Sequence, residues 1–195
     1  MIKLTRPQCP NQPALNGGNY KHPDNKNALK EAGFEKCMYC ESKVVHAYYG
    51  DIEHIKPKVK FPELEFVWEN LGFVCAICNG SKKDKFENDT PFINPYDENP
   101  EDYIIAVGSF VKQKQGSERG EITICEINLN RAPLIERRKE RLDIVEKAIN
   151  ACFRTQNISL KNNALAELRK EADFNKEYSL CVKSLLMTHE IYDKK

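Results

Sequence analysis

Residues 37–40, Cys-Met-Tyr-Cys, and residues 75–78, Cys-Ala-Ile-Cys, are the two short motifs on which the interpretation of this sequence depends. The tight turn of a C-x2-C pair lets both sulfurs reach one ion, and two pairs supply the four thiolates of a closed, tetrahedral structural zinc site. The spacing therefore predicts that structural Zn²⁺ is bound by Cys37, Cys40, Cys75 and Cys78. Two redox pairs, or thiols scattered through a core, are the alternatives that spacing alone leaves open.

Composition places this segment in an ordinary globular chain. The 195 residues include 41% hydrophobic and 30% charged side chains, which argues against disorder. The formal net charge of +1 neither favours nor excludes nucleic acid, because a local basic patch can act inside a neutral total. No apolar run approaches the roughly 18 residues that span a bilayer, and the start of the sequence lacks a signal-peptide core. We therefore expect a cytoplasmic protein, in which cysteine pairs favour metal binding over disulfides.

Patterning divides the chain into three segments and predicts an α+β fold. Residues 1–35 are rich in Pro, Asn and Gly, and predict an irregular arm that packs on something else or stays loose until a partner binds. Residues 36–95 hold both cysteine pairs, and the run 43–55 predicts two short strands around a turn at Gly50-Asp51. Residues 96–195 predict a β-hairpin with strands over 103–107 and 121–127, followed by helices with apolar i, i+3, i+4 stripes.

Between and just after the cysteine pairs stand Glu53-His54, Asn70 and Asn79, in that order. An acidic residue with His, then a central Asn, then a terminal His or Asn resembles the HNH endonuclease family, in its variant with four zinc-binding cysteines. The last element is Asn, so the chain resembles an H-N-N variant. The resemblance implies a zinc-stabilised ββα-metal core with an appended, mainly helical C-terminal region. It also implies a metal-dependent endonuclease that hydrolyses DNA phosphodiester bonds.

These residue types suit that chemistry. Neutral imidazole is available near pH 7, so His54 is the candidate base that activates water. Glu53 and the side-chain carbonyl of Asn79 are hard oxygen ligands that leave positions open on Mg²⁺ or Mn²⁺ for water and phosphate. The resemblance implies that Asn70 fixes the loop that bears the base, through hydrogen bonds from its side chain to the backbone.

The adjacency of Glu53 and His54 raises a geometric question, because neighbours on a regular strand point to opposite faces. Both can face the substrate only if the strand ends or is distorted there, and Lys56-Pro57 directly afterwards fits such an ending. Asp51 is the reserve ligand if Glu53 points away.

Basic residues supply candidate phosphate contacts. Lys82 and Lys85 follow Asn79 closely enough to contact backbone phosphates beside it. Lys56, Lys58 and Lys60 are either a strip that faces DNA or an ordinary solvated edge.

The resemblance extends over most of residues 1–140. KLTRPQCP, CMYCES, IEHIKPK, CAICNGSKKDKF and LNRAPLIERR resemble PtuB-type HNH proteins of Septu and retron-associated anti-phage defence systems. Such proteins act beside an ATPase, so the resemblance implies DNA and a PtuA-like ATPase as partners, and no membrane. Two other interpretations stay open at this point. One is a non-catalytic zinc module that binds nucleic acid or protein, and the other is a thiol redox protein.

Overall fold

The computed structural model describes residues 1–44 and 50–192 of the chain. Within these residues, helices alternate with two separate two-stranded antiparallel sheets. This confirms the predicted α+β class. In the part of the chain so described, no helix combines the length and the apolar character that a membrane span requires.

The N-terminal segment is more regular than its composition predicts. It forms α1 (Gln12–Asn16) and α2 (Pro23–Ala32). Leu15 and Leu29 on these helices are completely buried. The prediction of an irregular arm is therefore wrong for these residues. Pro13 and Pro23 stand in the first turns of the helices, where a missing backbone N–H costs nothing.

The middle of the chain folds as two strands followed by a helix. β1 (Asp51–His54) pairs antiparallel with β2 (Leu71–Val74), with His54 opposite Leu71. Cys75 follows β2 and caps α3 (Ala76–Lys82), because its Sγ accepts a hydrogen bond from the backbone N–H of Cys78 at 3.4 Å. The second cysteine pair thus sits at the junction of strand and helix.

The strand pair predicted around Gly50-Asp51 is tested only in part. Its first strand falls largely on residues 45–49, which lie outside the described residues. Its second half corresponds to β1, which pairs with β2 across a long connection, residues 55–70. Two single 3₁₀ turns, Pro62–Leu64 and Trp68–Asn70, shape that connection.

The predicted hairpin exists, but its second strand lies elsewhere. β3 (Ile104–Val107) pairs with β4 (Phe110–Gln113) across a tight turn in which Gly108 has φ of 57°. The strand predicted over 121–127 is wrong, because these residues belong mostly to α4 (Glu118–Glu126). The β-branched run suggested a strand, yet the buried positions follow helical spacing: Gly120, Thr123, Ile124 and Ile127.

Three helices complete the chain: α5 (Ala132–Arg154), α6 (Ile158–Lys170) and α7 (Ser179–Thr188). α5 packs against both α6 and α7. Its buried stripe follows the predicted spacing through Leu142, Val145 and Ile149, as expected of an amphipathic helix.

One cluster of buried apolar side chains includes residues from all three predicted segments, for example Leu29, Phe73 and Ile149. The elements that carry the candidate site therefore rest on a core shared with the flanking segments. The boundaries at 35/36 and 95/96 stay predictions.

Candidate functional site

The four cysteines of the two pairs lie together. Their Sγ atoms are all within 4.8 Å of one another, and all four side chains are buried. Cys40 Sγ and Cys75 Sγ are 3.9 Å apart, and none of the four forms a disulfide. The predicted four-cysteine metal site is therefore confirmed as a cluster, and an all-sulfur donor set of this kind is compatible with structural Zn²⁺.

The pKa values of the four cysteines also fit a site for a cation. Burial, together with hydrogen bonding among the thiols, raises the pKa of Cys37 well above its ordinary value. Hydrogen bonds from the neighbouring thiols lower the pKa of Cys40 well below it. The neighbouring thiols thus lower the pKa of Cys40 and Cys75, while burial and the same neighbours raise that of Cys37 and Cys78. A bound divalent cation would stabilise all four as thiolates.

Arg131 lies beside the cluster although it is remote in sequence. Its Nη1 is 3.6 Å from Cys78 Sγ, across a separation of 53 residues, and also donates to Asn128 O at 3.1 Å. Because Zn²⁺ with four thiolates has excess negative charge, a guanidinium here would offset part of it. Sequence reasoning does not find this contact, since nothing local relates Arg131 to a cysteine.

His54 is the last residue of β1, and a backbone carbonyl fixes its ring. Nε2 lies 3.0 Å from Glu65 O. A carbonyl oxygen can only accept, so Nε2 carries the proton, and Nδ1 of the neutral ring is left unprotonated. Burial lowers the pKa of His54, which favours this neutral form near pH 7. A ring oriented in this way can act as a general base through Nδ1.

Asn70 holds the loop that supplies this carbonyl. Its Oδ1 accepts from Lys56 N at 2.7 Å, and its Nδ2 donates to Lys56 O at 2.9 Å and to Leu64 O at 3.1 Å. Its side chain therefore ties together both ends of the segment between β1 and Glu65. These are bonds of the kind that the family resemblance implies for Asn70.

Glu53 and His54 make their contacts on different elements. Glu53 reaches α3, where its Oε1 is 2.5 Å from Lys82 Nζ, whereas the His54 ring packs edge-on against Tyr20 with centroids 4.6 Å apart. β1 is regular up to His54 and ends there. The strand ending that Lys56-Pro57 predicts is therefore present.

The side chain of Lys82 is completely buried. Its Nζ donates to His54 O at 2.9 Å besides pairing with Glu53. The predicted phosphate contact by Lys82 is wrong, because the ammonium group faces inward and its contacts are within the fold. Lys85 is half-exposed and pairs with Glu126 at 2.8 Å, so its phosphate contact stays a prediction.

Glu53 is a buried acid with one counter-charge. Burial raises the pKa of Glu53, and the Lys82 ammonium only partly opposes this. The ammonium lies 2.5 Å from Oε1, so this oxygen is already in contact with a cation. A carboxylate is a ligand type that Mg²⁺ and Mn²⁺ prefer, and Glu53 as a ligand stays a prediction.

Asn79 lines an open cavity of about 550 Å³. The cavity lies between α2, the start of β1 and α3, and it is lined by Lys26, Gly50, Asp51, Ala76, Asn79, Gly80 and Lys83. The structure thus brings Asn79 together with Asp51, the reserve ligand. Lys26 and Lys83 were missed by sequence reasoning, because no motif distinguishes them from the other lysines nearby.

Comparison with known proteins agrees with this geometry. Residues 37–85 match the model of a family described as HNH endonuclease. The chain is 29% identical, over its whole length, to the Septu protein PtuB of Bacillus thuringiensis, of which the aligned region covers 85%. It is 26% identical, over 88% of its length, to the Septu protein PtuB of Bacillus mycoides (strain KBAB4), of which 68% is covered.

The family match spans both cysteine pairs, His54, Asn70 and Asn79. It therefore confirms the family resemblance that these motifs predicted. Residues 37–85 thus match the HNH endonuclease family, in a chain that is similar over most of its length to the Septu protein PtuB.

Proposed function

We propose that this protein is a metal-dependent HNH endonuclease that hydrolyses phosphodiester bonds in DNA. The observation that carries the proposal is the fixed ring of His54, whose Nε2 donates to Glu65 O at 3.0 Å. This leaves Nδ1 as the atom that accepts a proton from the attacking water.

The surroundings of His54 support that role. When Nδ1 takes up the proton, the ring becomes positive, and the hydrogen bond from Nε2 to the Glu65 carbonyl becomes charge-assisted and stronger. Asn70 contributes by keeping this carbonyl in place, through its bonds to Lys56 and Leu64 O. It does so without contact to the substrate.

Glu53 and Asn79 are the residues that would hold Mg²⁺ or Mn²⁺, with Asp51 as the further carboxylate nearby. When bound, such a cation neutralises charge on the phosphate and on the departing oxygen. Lys82 keeps the buried Glu53 carboxylate balanced and oriented through the 2.5 Å ion pair. The four cysteines would bind structural Zn²⁺ and so fix the backbone of Asn79, which directly follows Cys78.

The similarity to the Septu protein PtuB supports a role as the nuclease of an anti-phage defence complex, beside a PtuA-like ATPase. Co-expression with a PtuA-like ATPase tests that part. We expect the two to co-purify and the ATPase to change the rate of DNA nicking. Separate elution with an unchanged rate would contradict it.

One observation favours a second candidate, a non-catalytic zinc module that binds nucleic acid or protein. Glu53 is buried and already paired with Lys82, so that its carboxylate has a counter-charge without any metal. In that case the protein would keep the zinc-stabilised fold but would not hydrolyse phosphodiester bonds.

Incubation with supercoiled plasmid in Mg²⁺ or Mn²⁺ separates the two functions. We expect wild type to nick and His54→Ala to lose about 10²–10⁴-fold in rate, the usual contribution of a general base. His189→Ala, which removes a contact to Glu146 on α5, is the matched control and should nick normally. Zinc content should be the same in all three proteins. Equal nicking by wild type and His54→Ala would refute the catalytic role.

A further inference from the structure

The cavity beside Asn79 has the charge of an anion site. Asp51, its acidic residue, is already paired, since Lys21 Nζ lies 2.8 Å from the carboxylate. Lys26 and Lys83 also line the cavity. Neither forms an ion pair with any residue in the described ranges 1–44 and 50–192. The lining therefore carries positive charge that the fold does not balance.

Gly80 leaves this cavity open. It lies inside α3, where glycine is less favourable than alanine because the unfolded chain has more freedom to lose. Its φ is not positive, and a Cβ built on it would meet no atom of the described residues within 4 Å. Neither backbone conformation nor packing therefore requires glycine at this position.

Gly50 on the same cavity shows the contrast. A Cβ there would lie 2.1 Å from the ring of Phe73, so close packing explains that glycine. At Gly80 the remaining consequence of having no side chain is the free space itself. Space kept beside two unbalanced ammonium groups is what an anionic ligand needs.

We propose that this cavity binds a backbone phosphate of the substrate strand through Lys26 and Lys83, with Gly80 leaving room for it. The proposal rests on the nuclease function proposed above and assigns the phosphate contacts to residues other than Lys82. Phosphate oxygens are acceptors, and contacts from lysine to phosphate position a strand without reading its sequence. The site is therefore one for nucleic acid of any sequence.

The salt dependence of oligonucleotide binding tests the charge contacts. Fluorescence anisotropy is measured over a series of salt concentrations in a His54→Ala background, which keeps the oligonucleotide intact. Loss of one phosphate contact lowers the slope of log K against log salt by about 0.9 for a duplex or about 0.7 for a single strand. We expect this decrease from Lys26→Ala and again from Lys83→Ala, with roughly tenfold weaker binding in each, the scale of one charged hydrogen bond. Lys112→Ala, on the exposed face of β4, is the matched control and should change neither quantity.

A substitution at Gly80 tests whether phosphate binding needs the free space beside this residue. Gly80→Gln is uncharged and places a long side chain in the cavity, so it should weaken binding roughly tenfold, as the loss of one phosphate contact does. Zinc content and the thermal transition of each variant establish that the fold is kept.

The outcomes distinguish this proposal from the one on which it rests. If Lys26→Ala and Lys83→Ala match Lys112→Ala in slope and affinity, the phosphate site is refuted even when wild type nicks plasmid. If wild type nicks nothing while both variants still lower the slope, the nuclease function fails and the phosphate site stands. Binding of inorganic phosphate that depends on Lys26 and Lys83, without any binding of oligonucleotide, would make this a site for free phosphate and overturn the proposal.

Discussion

We call residues 37–85 the HNH domain, after the family model that they match. This domain and the C-terminal helices are stabilised in different ways. The domain contains two strands of four residues and a helix of seven, whereas α5 alone has 23 residues. A two-stranded sheet and so short a helix are marginal by themselves in water. Besides the shared apolar core, the domain therefore depends on its cysteine cluster and on side chains bonded to its backbone. The helices depend on a continuous apolar stripe.

The two regions also differ in what they bury. Around the candidate site, Glu53, His54, Asn70 and Lys82 are all buried polar residues. In α5 the buried charged residue is Arg138. Its Nη1 donates to Leu129 O at 2.8 Å and so holds the loop that precedes the helix. Buried polar groups are costly unless they are paired, and their concentration in one small domain fits the function proposed above.

Loss of a cysteine ligand should have the largest effect and should separate the two regions. We expect Cys78→Ser to lose zinc, which removes roughly 10–16 kcal/mol of apparent binding energy. Residues 37–85 should then exchange their amide hydrogens rapidly and nicking should stop, while α5 to α7 keep their protection. Zinc analysis and hydrogen exchange resolved by region measure this.

Cys125→Ser is the control for that experiment, because Cys125 is an exposed thiol on α4. It should keep zinc, protection and activity. A Cys78→Ser protein that is soluble, free of zinc and fully active would contradict the coupling between the cluster and the site.

Replacement of Asn70 should have the next largest effect, within the HNH domain alone. Asn70→Ala leaves two carbonyls and the Lys56 N–H without their partners, which should cost about 2–4 kcal/mol in free energy of unfolding. Nicking should fall as well, since the loop that carries Glu65 O loses its anchor. Urea unfolding and plasmid nicking measure the two effects, and the exposed Asn162→Ala on α6 is the control. Unchanged stability together with unchanged nicking would be evidence against the positioning role.

The sequence predicts local structure best where a short motif or a regular spacing of apolar residues determines that structure. The cysteine cluster follows from the local geometry of each C-x2-C turn, and the stripe of α5 follows from helical spacing. The strand predicted over 121–127 was wrong because β-branched residues also fit a helix whose buried positions recur at i, i+3 and i+4. Tertiary packing and the N-terminal cap that Ser117 provides favour the helix over the strand.

Adjacent lysines show why part of the site could not be predicted. Lys82 is buried against Glu53, and Lys83 lines the open cavity, yet the sequence presents them as one basic run. Which of them faces inward depends on the rotation of α3 relative to β1. Cys75 caps the start of α3 through the N–H of Cys78, and Arg131 reaches the same cluster from a third region of the chain.

The smallest expected effect concerns the ion pair of Glu98 with Arg119 in the C-terminal segment. Arg119 Nη1 and Nη2 donate to the two carboxylate oxygens at 2.9 and 2.6 Å, but both side chains are partly exposed. Burial raises the pKa of Glu98, yet the bonds from Arg119 and from Asn94 N outweigh it and lower the pKa overall. A lowered pKa means that the pair stabilises the fold above the ordinary pKa of glutamate, about 4.3, and that this contribution is lost as pH falls through the folded-state pKa.

We therefore expect Glu98→Gln to cost about 1 kcal/mol at neutral pH, because solvent screens a partly exposed pair. The difference from wild type should shrink in acid, as wild type itself becomes protonated. Urea unfolding at neutral and acid pH measures this, and Glu140→Gln, in an exposed pair with Arg137, should change nothing. A loss as large as that of Asn70→Ala would break the comparison between the two regions. It would mean that side-chain contacts to a loop hold the C-terminal segment as firmly as they hold the HNH domain, and that apolar packing is not what distinguishes it.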